Sequence, residues 1–221
     1  YTPLGLRVLR NIENIVRQAM NELGAQEILM PALHPKAKWL NTGGWDEIDV
    51  LFKLTSRANR EYALGQSHEE IVTPLAKELI SSYKDLPLAL YKSQWKYRDE
   101  LRSKSGILRG REFYMKDMYS FAKTQSEHDI IYQKVAQAYE RVYQRLGIGD
   151  ITYRTFADGG IFTSRFSDEY QMLSGIGEDT VFIDRKRKIA VNKEIINDNR
   201  LNEVDIDLSV LEECKSIEVG N

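Results

Sequence analysis

The sequence predicts an α+β fold in which helices pack on an antiparallel β-sheet. Helical and strand-like segments do not alternate along the chain, as they would in a doubly wound parallel fold. Two strand-like segments, 88–97 and 109–119, are separated by a polar connection and predict a long antiparallel hairpin. The 221 residues, 42% of them hydrophobic, suit one globular domain with room for a small appendage.

Three segments have the apolar spacing of amphipathic helices. In residues 4–23, apolar side chains recur every three or four positions with polar side chains between them, and Gly24 ends the segment. A second helix is predicted over about 68–83 and a third over 126–146, where Gly147 follows the last periodic residue. These helices would cover the sheet.

Shorter segments are typical of strands. EILM at 27–30 follows the first helix as a short buried strand. VLFKL at 50–54 and EYAL at 61–64 flank the turn sequence TSRANR and predict a hairpin. Two more strands are predicted further along the chain. They are ITYRTF at 151–156, which is followed by the tight turn DGG, and TVFID at 180–184.

Composition excludes several classes of protein. No apolar run approaches the roughly 18 to 20 residues of a membrane span, and the first residues lack the order of a signal peptide. The single cysteine, Cys214, can form no internal disulfide, and with three scattered histidines it supplies no zinc cluster. We therefore expect a soluble, cytoplasmic protein without a metal site of its own and without a membrane segment.

The formal charge of −2 hides a local asymmetry. Lys and Arg outnumber Asp and Glu over 92–116, whereas acids dominate 202–221. The predicted hairpin thus carries six charged side chains that could converge, namely Arg98, Glu100, Arg109, Arg111, Glu112 and Asp117. Guanidinium groups could grip a phosphate or carboxylate, but the same residues could equally form surface ion pairs worth about 0 to 1 kcal/mol each.

Sequence motifs in this hairpin resemble those of a known family. YRDE followed by GILRGREFYMKD is similar to the second signature motif of class II aminoacyl-tRNA synthetases, here about 92–117. The first helix with GAQEILMPALHP resembles the first motif, about 4–35, which forms the dimer interface in that family. GQSHEE, in the loop 65–70, resembles the Thr-x-Glu loop of the prolyl enzymes. REFYMKDMYSF and SGIGEDTVFID are similar to the bacterial prolyl type.

The resemblance implies a nucleotide site on the hairpin. Arg98 would be the catalytic residue, because it would grip both the ATP α-phosphate and the amino-acid carboxylate and so offset their repulsion. Glu100 would help to hold the nucleotide, and Arg109 and Gly110 would approach the triphosphate and adenine. Phe113 would stack on the adenine ring.

The resemblance also implies a proline pocket. Ser67 and Glu69 would meet the proline imino group, and Asp117 would be a second acid below it, since a protonated secondary amine has two N–H donors. Met115 would contact the proline ring, and Arg98 would bind the carboxylate.

Some residues depart from the family pattern or have an alternative interpretation. Serine replaces the usual threonine at 67, and Ser67 with Glu70 also fits a capping box at the start of the second helix. His68 is interpreted as a structural residue. Asp168 stands where bacterial prolyl enzymes have histidine, so the role of that histidine does not transfer. The glycines of DGG could approach the substrate.

The implied reaction joins proline and ATP into prolyl-adenylate and pyrophosphate, and then transfers proline to tRNA(Pro). Mg²⁺ would shield the phosphates, Arg102 and Lys104 would contact the phosphates of the tRNA acceptor end, and the full-length enzyme would be a homodimer. The third class II motif, an anticodon-binding domain and an editing insertion are not recognised in 1–221. We therefore expect a partial catalytic domain, inactive alone. The alternatives are another class II synthetase, or a non-catalytic paralogue that binds tRNA or a partner.

Overall fold

The computed structural model describes residues 1–104, 106–159, 163, 165–204 and 206–220. The chain divides into two compact units, Tyr1–Tyr139 and Glu140–Asn221. The predicted α+β class is confirmed, because helices flank mainly antiparallel sheets. No helix in the described part of the chain is long and apolar enough to cross a membrane.

The helices closely follow the apolar periodicity of the sequence. They are α1 (Pro3–Glu22), α2 (Lys36–Leu40), α3 (Gly44–Glu47), α4 (Glu69–Leu79) and α5 (Gln125–Arg145). Pro3 lies in the first turn of α1, where its missing N–H costs nothing, and Gly24 follows the helix with φ of 77°. The predicted helices over 4–23 and 126–146 are thus confirmed to within a residue at each end.

The first unit contains two three-stranded sheets. Its strands are β1 (Gln26–Glu27), β2 (Leu33–Pro35), β3 (Lys53–Thr55), β4 (Glu61–Leu64), β5 (Leu88–Tyr97) and β6 (Glu112–Phe121). One sheet has the order β2-β4-β3 and contains the hairpin predicted around TSRANR. The other has the order β1-β5-β6, in which β1 pairs parallel to β5 and the long hairpin β5–β6 is antiparallel.

The long hairpin has two different faces, because successive side chains of a strand point to opposite sides of the sheet. Its register pairs Lys92 with Asp117 and Lys96 with Phe113. We call the face formed by Lys92, Gln94, Lys96, Phe113, Met115, Asp117 and Tyr119 the inner face. The apolar end of this side of the sheet packs on α4, where Val72, Ala76 and Leu90 form a buried core.

The opposite face of the hairpin lies against α1. Tyr91 donates a hydrogen bond from its hydroxyl to Asn21 Oδ1 at 2.8 Å, and Tyr114 donates to Glu13 Oε1 at 3.0 Å. Burial and the bond to Glu13 raise the pKa of Tyr114 to about 12. These bonds fix the long hairpin between two helical layers.

The second unit is a small closed barrel with the order β10-β7-β8-β11-β9. Its strands are β7 (Thr152–Ala157), β8 (Ser167–Leu173), β9 (Asp179–Asp184), β10 (Ile189–Asn192) and β11 (Glu212–Gly220). Only the pair β10–β7 is parallel among the described pairings of this barrel. Its interior is built on Tyr153, Val181, Ile183 and Ala190.

Several element boundaries differ from the predictions. The strand predicted over 109–119 begins at Glu112, because Lys104 N donates to Arg109 O at 3.0 Å and keeps Arg109 in the connecting loop. The buried strand predicted at 27–30 is wrong in position and in burial, because the strand is Gln26–Glu27 and both residues are exposed. The helix predicted to reach residue 83 ends at Leu79, since a separate 3₁₀ turn follows with its own capping box.

Candidate active site

Arg98 lies at the open end of the long hairpin. It directly follows β5, and its backbone N–H donates to Arg111 O at 2.9 Å. The guanidinium carbon is 5.1 Å from the centre of the Phe113 ring, within cation–π range. Its Nε is buried and has no hydrogen-bond partner among the described residues. Such a donor costs about 1 to 3 kcal/mol when left unpaired, so the site is suited to an acceptor from a ligand.

The other charged residues of this region form ion pairs near the solvent. Arg109 donates from Nε at 3.2 Å and from Nη2 at 3.1 Å to the same oxygen of Glu100, whose side chain is largely buried. Arg111 is 3.8 Å from Asp99, and both are more than half exposed. The first pair orders the mouth of the hairpin, whereas the second has the geometry of a weak surface contact.

The loop between β5 and β6 extends into solvent. Arg102 and Lys104 are exposed, and an isolated antiparallel bridge joins Lys104 to Arg109. A side chain at position 110 would be tightly packed, because a Cβ there would lie 3.0 Å from the carbonyl oxygen of Glu112. The backbone at Gly110 thus closely approaches the first residue of β6.

The segment 65–70 passes beside Arg98. Gly65 accepts a hydrogen bond from Tyr97 N at 3.1 Å and donates one to Ala32 O at 2.9 Å. A Cβ at Gly65 would lie 2.8 Å from the His34 ring and 2.9 Å from the His68 ring, so only glycine fits there. The backbone bond from Tyr97 brings this segment next to the end of β5.

Ser67 and Glu69 lie together in this segment. The Ser67 hydroxyl donates to Glu69 Oε2, and both residues are half-buried. The alternative capping-box prediction is wrong, because His68 is the N-cap of α4 and no side chain caps the helix. The helix starts one residue later than that prediction required, since His68 N instead donates to the Tyr119 hydroxyl at 3.2 Å.

Glu70 therefore does not reach back to the start of α4. Its Oε1 instead accepts from the Thr42 hydroxyl at 3.4 Å, and its Oε2 is buried with no described partner. Burial raises the pKa of Glu70 above its usual value. The segment GQSHEE thus contributes only the pair Ser67–Glu69 to the predicted proline contacts.

Asp117 is surrounded by buried cations on the inner face. Lys96 Nζ lies 2.8 Å from Asp117 Oδ2, and Lys92 Nζ lies 3.4 Å from Oδ1, although both lysine side chains have no exposed surface. The hydroxyl of Tyr119 also donates to Oδ2. The sequence prediction included Asp117 but missed the two lysines. The spacing 92, 94, 96, 98 in a strand was the available signal, since it puts both lysines on the side of Arg98.

Two histidines complete this buried group. Lys96 Nζ lies 2.5 Å from His68 Nδ1, and the His68 ring meets the His34 ring edge-on at 4.7 Å. Burial, followed by the nearby lysines, lowers the pKa of His68 to about 2, and burial lowers that of His34 to about 4. Burial and then the adjacent Lys96 lower the pKa of Lys92 to about 7. Both histidines are thus neutral near pH 7, and the backbone N–H and the ring of His68 both bond to other parts of the protein.

Met115 also lies on the inner face. It pairs with Gln94 in the hairpin register and is half-buried. The Gln94 amide accepts from Met30 N at 2.8 Å and donates to Met30 O at 2.7 Å, which joins the strand to the segment after β1. The Gln94 side chain thus holds the backbone of Met30 at both its N–H and its carbonyl group.

The second unit contains the remaining residues of interest. Asp168 accepts a charge-assisted bond from Arg154 at 2.5 Å, so it has an ion-pair role within the barrel. Gly159 is required by packing, because a Cβ there would lie 2.4 Å from Arg165 O. Gly160, the second glycine of the predicted turn, lies outside the described residues. No group of three or more His, Cys, Asp or Glu side chains in the described ranges could hold a metal ion.

Comparison with known proteins assigns the class. Residues 52–201 match the family described as "tRNA synthetase class II core domain (G, H, P, S and T)". The chain therefore belongs to the class II tRNA synthetase core-domain family. The match includes the segment 65–70 and the whole long hairpin.

Within this class, the chain is similar to curated bacterial proteins named "Proline--tRNA ligase". It is 43% identical over 196 residues to that of Halalkalibacterium halodurans, a match covering 88% of this chain and 34% of the relative. It is 46% identical over 181 residues to that of a Nocardioides species, covering 81% and 30%. It is 45% identical over 195 residues to that of Staphylococcus epidermidis, covering 88% and 34%. The chain thus spans about a third of the length of these relatives.

Proposed function

We propose that this chain is part of a proline–tRNA ligase. The observation that carries the proposal is 43–46% identity to proteins of that name over at least 81% of the chain. The match covers the long hairpin and the segment 65–70, where the candidate site residues lie. The first step would form prolyl-adenylate, and the second would transfer proline to tRNA(Pro).

The proposed first step joins two anions at Arg98. A carboxylate oxygen of proline forms a bond to the α-phosphorus of ATP, and the bond from that phosphorus to the pyrophosphate oxygen breaks. A planar guanidinium can contact both anions and stabilise the charge that develops between them. The buried Nε of Arg98, which lacks an acceptor in the described chain, supports this role.

ATP would bind along the end of the long hairpin. Phe113 offers a ring for the adenine, and Gly110 allows close approach of the backbone. Arg109 would contact the triphosphate. Glu100, which lies 3.1 Å from Arg109, would orient the guanidinium of Arg109 and would also contact the nucleotide. Mg²⁺ would accompany the phosphates of the nucleotide, since it binds substrate phosphates and retains several waters.

Proline would bind between the segment 65–70 and the inner face. Glu69, joined to Ser67 by a hydrogen bond, would accept from the imino group. Asp117 would supply the second negative charge, and Met115 would contact the pyrrolidine ring. Arg98 would orient the carboxylate.

The tRNA would approach the exposed loop between β5 and β6. Arg102 and Lys104 are exposed there, where they can contact backbone phosphates. We also propose a homodimer formed through α1, whose side chains Leu4 and Val8 are 73% and 51% exposed. The reaction would take place in the cytoplasm, with the tRNA pool.

The barrel supports the further proposal that no editing domain is inserted between β10 and β11. Both strands pair with β9, and the connection between them is a series of short turns in its described residues. An amino-acid pocket alone discriminates small apolar differences by only about 10- to 200-fold. We therefore propose that discrimination against alanine by this part of the protein rests on the amino-acid pocket. Pyrophosphate exchange with proline and with alanine measures that discrimination, and a preference for proline far above about 200-fold would contradict the proposal.

The decisive test of the function is pyrophosphate exchange by the full-length protein with each amino acid in turn. We expect exchange that depends on proline and exceeds that with any other amino acid. Stronger exchange with a different amino acid would assign another class II specificity. No exchange with any amino acid, together with tRNA binding, would identify a non-catalytic paralogue.

A further inference from the structure

The buried charge cluster on the inner face has a member to which neither the family motifs nor the proposed substrate contacts give a role. Lys96 has no exposed surface, and it lies two residues before Arg98. Burial of an ammonium group costs several kcal/mol unless specific partners compensate. The burial of Lys96 therefore has to be explained by the groups that its ammonium contacts.

Lys96 joins three parts of the first unit. Its Nζ, carried by β5, lies 2.5 Å from His68 Nδ1 in the segment 65–70 and 2.8 Å from Asp117 Oδ2 on β6. His68 stands between Ser67 and Glu69, the two proposed contacts to the proline imino group. A single ammonium group thus contacts both sides of the proposed amino-acid pocket.

The direction of these bonds follows from the chemistry of the groups. An ammonium has donors only, so His68 Nδ1 must accept and its proton must be on Nε2. The titratable groups that face His68 are His34 from β2, Lys92 and Lys96 from β5, and Tyr119 from β6. The lysines disfavour a second proton on the ring, which keeps the acceptor available.

A second link reinforces the first. His68 N donates to the Tyr119 hydroxyl at 3.2 Å, and that hydroxyl donates to Asp117 Oδ2. The backbone and the side chain of His68 are therefore both connected to the same carboxylate. Loss of Lys96 would leave only the backbone link.

We propose that Lys96 is a positioning residue for amino-acid binding, which holds Ser67 and Glu69 in register with Asp117 through its bond to His68 Nδ1. This role rests on the proposed function for the identity of the amino acid. Lys96 pairs with Phe113 in the hairpin register, but its ammonium contacts His68 and Asp117, which both belong to the amino-acid side. Its loss therefore raises KM for proline far more than KM for ATP. Misplacement of contacts by about 1 Å can cost up to roughly 10²-fold.

Two variants of His68 separate this role from simple filling of the core. In His68→Asn the side-chain oxygen can occupy the place of Nδ1 and accept from Lys96. In His68→Gln the longer amide reaches the place of Nε2 and leaves Lys96 without its acceptor. Both variants replace the buried ring with an amide, so a purely structural role predicts similar effects for both.

The experiment measures KM for proline and KM for ATP in pyrophosphate exchange by the full-length protein. We expect Lys96→Met and His68→Gln to raise KM for proline about tenfold or more, with KM for ATP within about twofold. His68→Asn should stay within about threefold of the wild type in both constants. Lys77→Met, at an exposed position on α4, is the matched control for the lysine substitution.

Contrary outcomes are distinguishable. The role of Lys96 would be overturned if the two His68 variants were equally impaired, or if KM for proline and KM for ATP rose equally. In either case an active wild type would leave the proposed function standing. An inactive wild type would overturn the proposed function and the amino-acid role together. A nitrogen-15 spectrum that shows the His68 proton on Nδ1 would remove the bridge itself, whether or not the protein is active.

Discussion

Two regions of the same hairpin use the same residue types in opposite ways. At the open end, Arg109 and Arg111 pair with Glu100 and Asp99, and the guanidinium groups are about half exposed. On the inner face, two lysines with no exposed surface surround one largely buried carboxylate. Exposed charges can exchange their partners for a ligand at little cost, whereas buried charges cannot. The open end is thus suited to exchanging partners with a ligand, and the charges of the inner face to keeping a fixed geometry around the proposed amino-acid contacts.

The comparison predicts that the inner face is far more sensitive to loss of a charge. Asp117→Asn removes the counter-charge of two buried lysines, and we expect the local unfolding free energy of β5 and β6 to fall by about 3 to 5 kcal/mol. Asp99→Asn, the matched control at the open end, should change it by less than about 0.5 kcal/mol.

Hydrogen exchange of the full-length protein, followed in peptides that cover β5 and β6, measures both effects locally. Similar protection in Asp117→Asn and Asp99→Asn would contradict the distinction between the two regions.

Loss of a charge at the open end should instead lower the activity and leave the free energy of unfolding almost unchanged. Arg98→Ala removes the cation that would contact both reacting anions, so we expect proline-dependent pyrophosphate exchange to fall about 10²-fold or more. Arg57→Ala, at an exposed turn of the β3–β4 hairpin, is the control and should retain wild-type exchange. A loss below about threefold in Arg98→Ala would exclude Arg98 from the reaction.

Lys92 gives the stability of the inner face a pH dependence. Its pKa in the folded protein is lowered to about 7, from about 10.5 in the unfolded chain, chiefly by burial. Below pH 7 the folded state bears the full cost of the buried charge. Between pH 7 and 10.5 only the unfolded state keeps the proton, so stability rises with pH.

The measurement compares the free energy of unfolding of Lys92→Met with that of the wild type over a range of pH. The contributions of titrating groups that both proteins share cancel in the difference. We expect the stability advantage of Lys92→Met to shrink by about 2 to 3 kcal/mol between pH 6 and pH 9. A difference in stability that stays constant over this range would show that Lys92 keeps an ordinary pKa.

The hairpin also shows how far sequence reasoning reaches. The strand predicted over 88–97 matches β5 residue for residue, because its apolar and aromatic content defines a strand of ordinary length. The pairing of Lys92 with Asp117 was beyond reach, since register depends on how the connecting loop folds back. Without the register no partner for the two lysines is apparent, and an unpaired lysine is expected at the surface.

Other differences have non-local causes. The pattern around Ser67 fits a helix cap, but the bond from His68 N to Tyr119, fifty-one residues away, decides where α4 begins. Strands β8, β10 and β11 were missed, because each carries charged or polar residues and is defined by closure of the barrel. In β11 the partners β8 and β9 both come from earlier in the chain, which local patterns do not reveal.

The smallest expected effect concerns the pair at the open end. Arg109 donates twice to one oxygen of Glu100, but its guanidinium is 53% exposed, so water and salt screen the attraction. A double-mutant cycle with Glu100→Gln and Arg109→Met should give a coupling of about 0.2 to 1 kcal/mol in stability, decreasing as salt rises. Coupling above about 2 kcal/mol that persists at high salt would mean that this pair behaves like the buried lysines, and the contrast between the two regions would not hold.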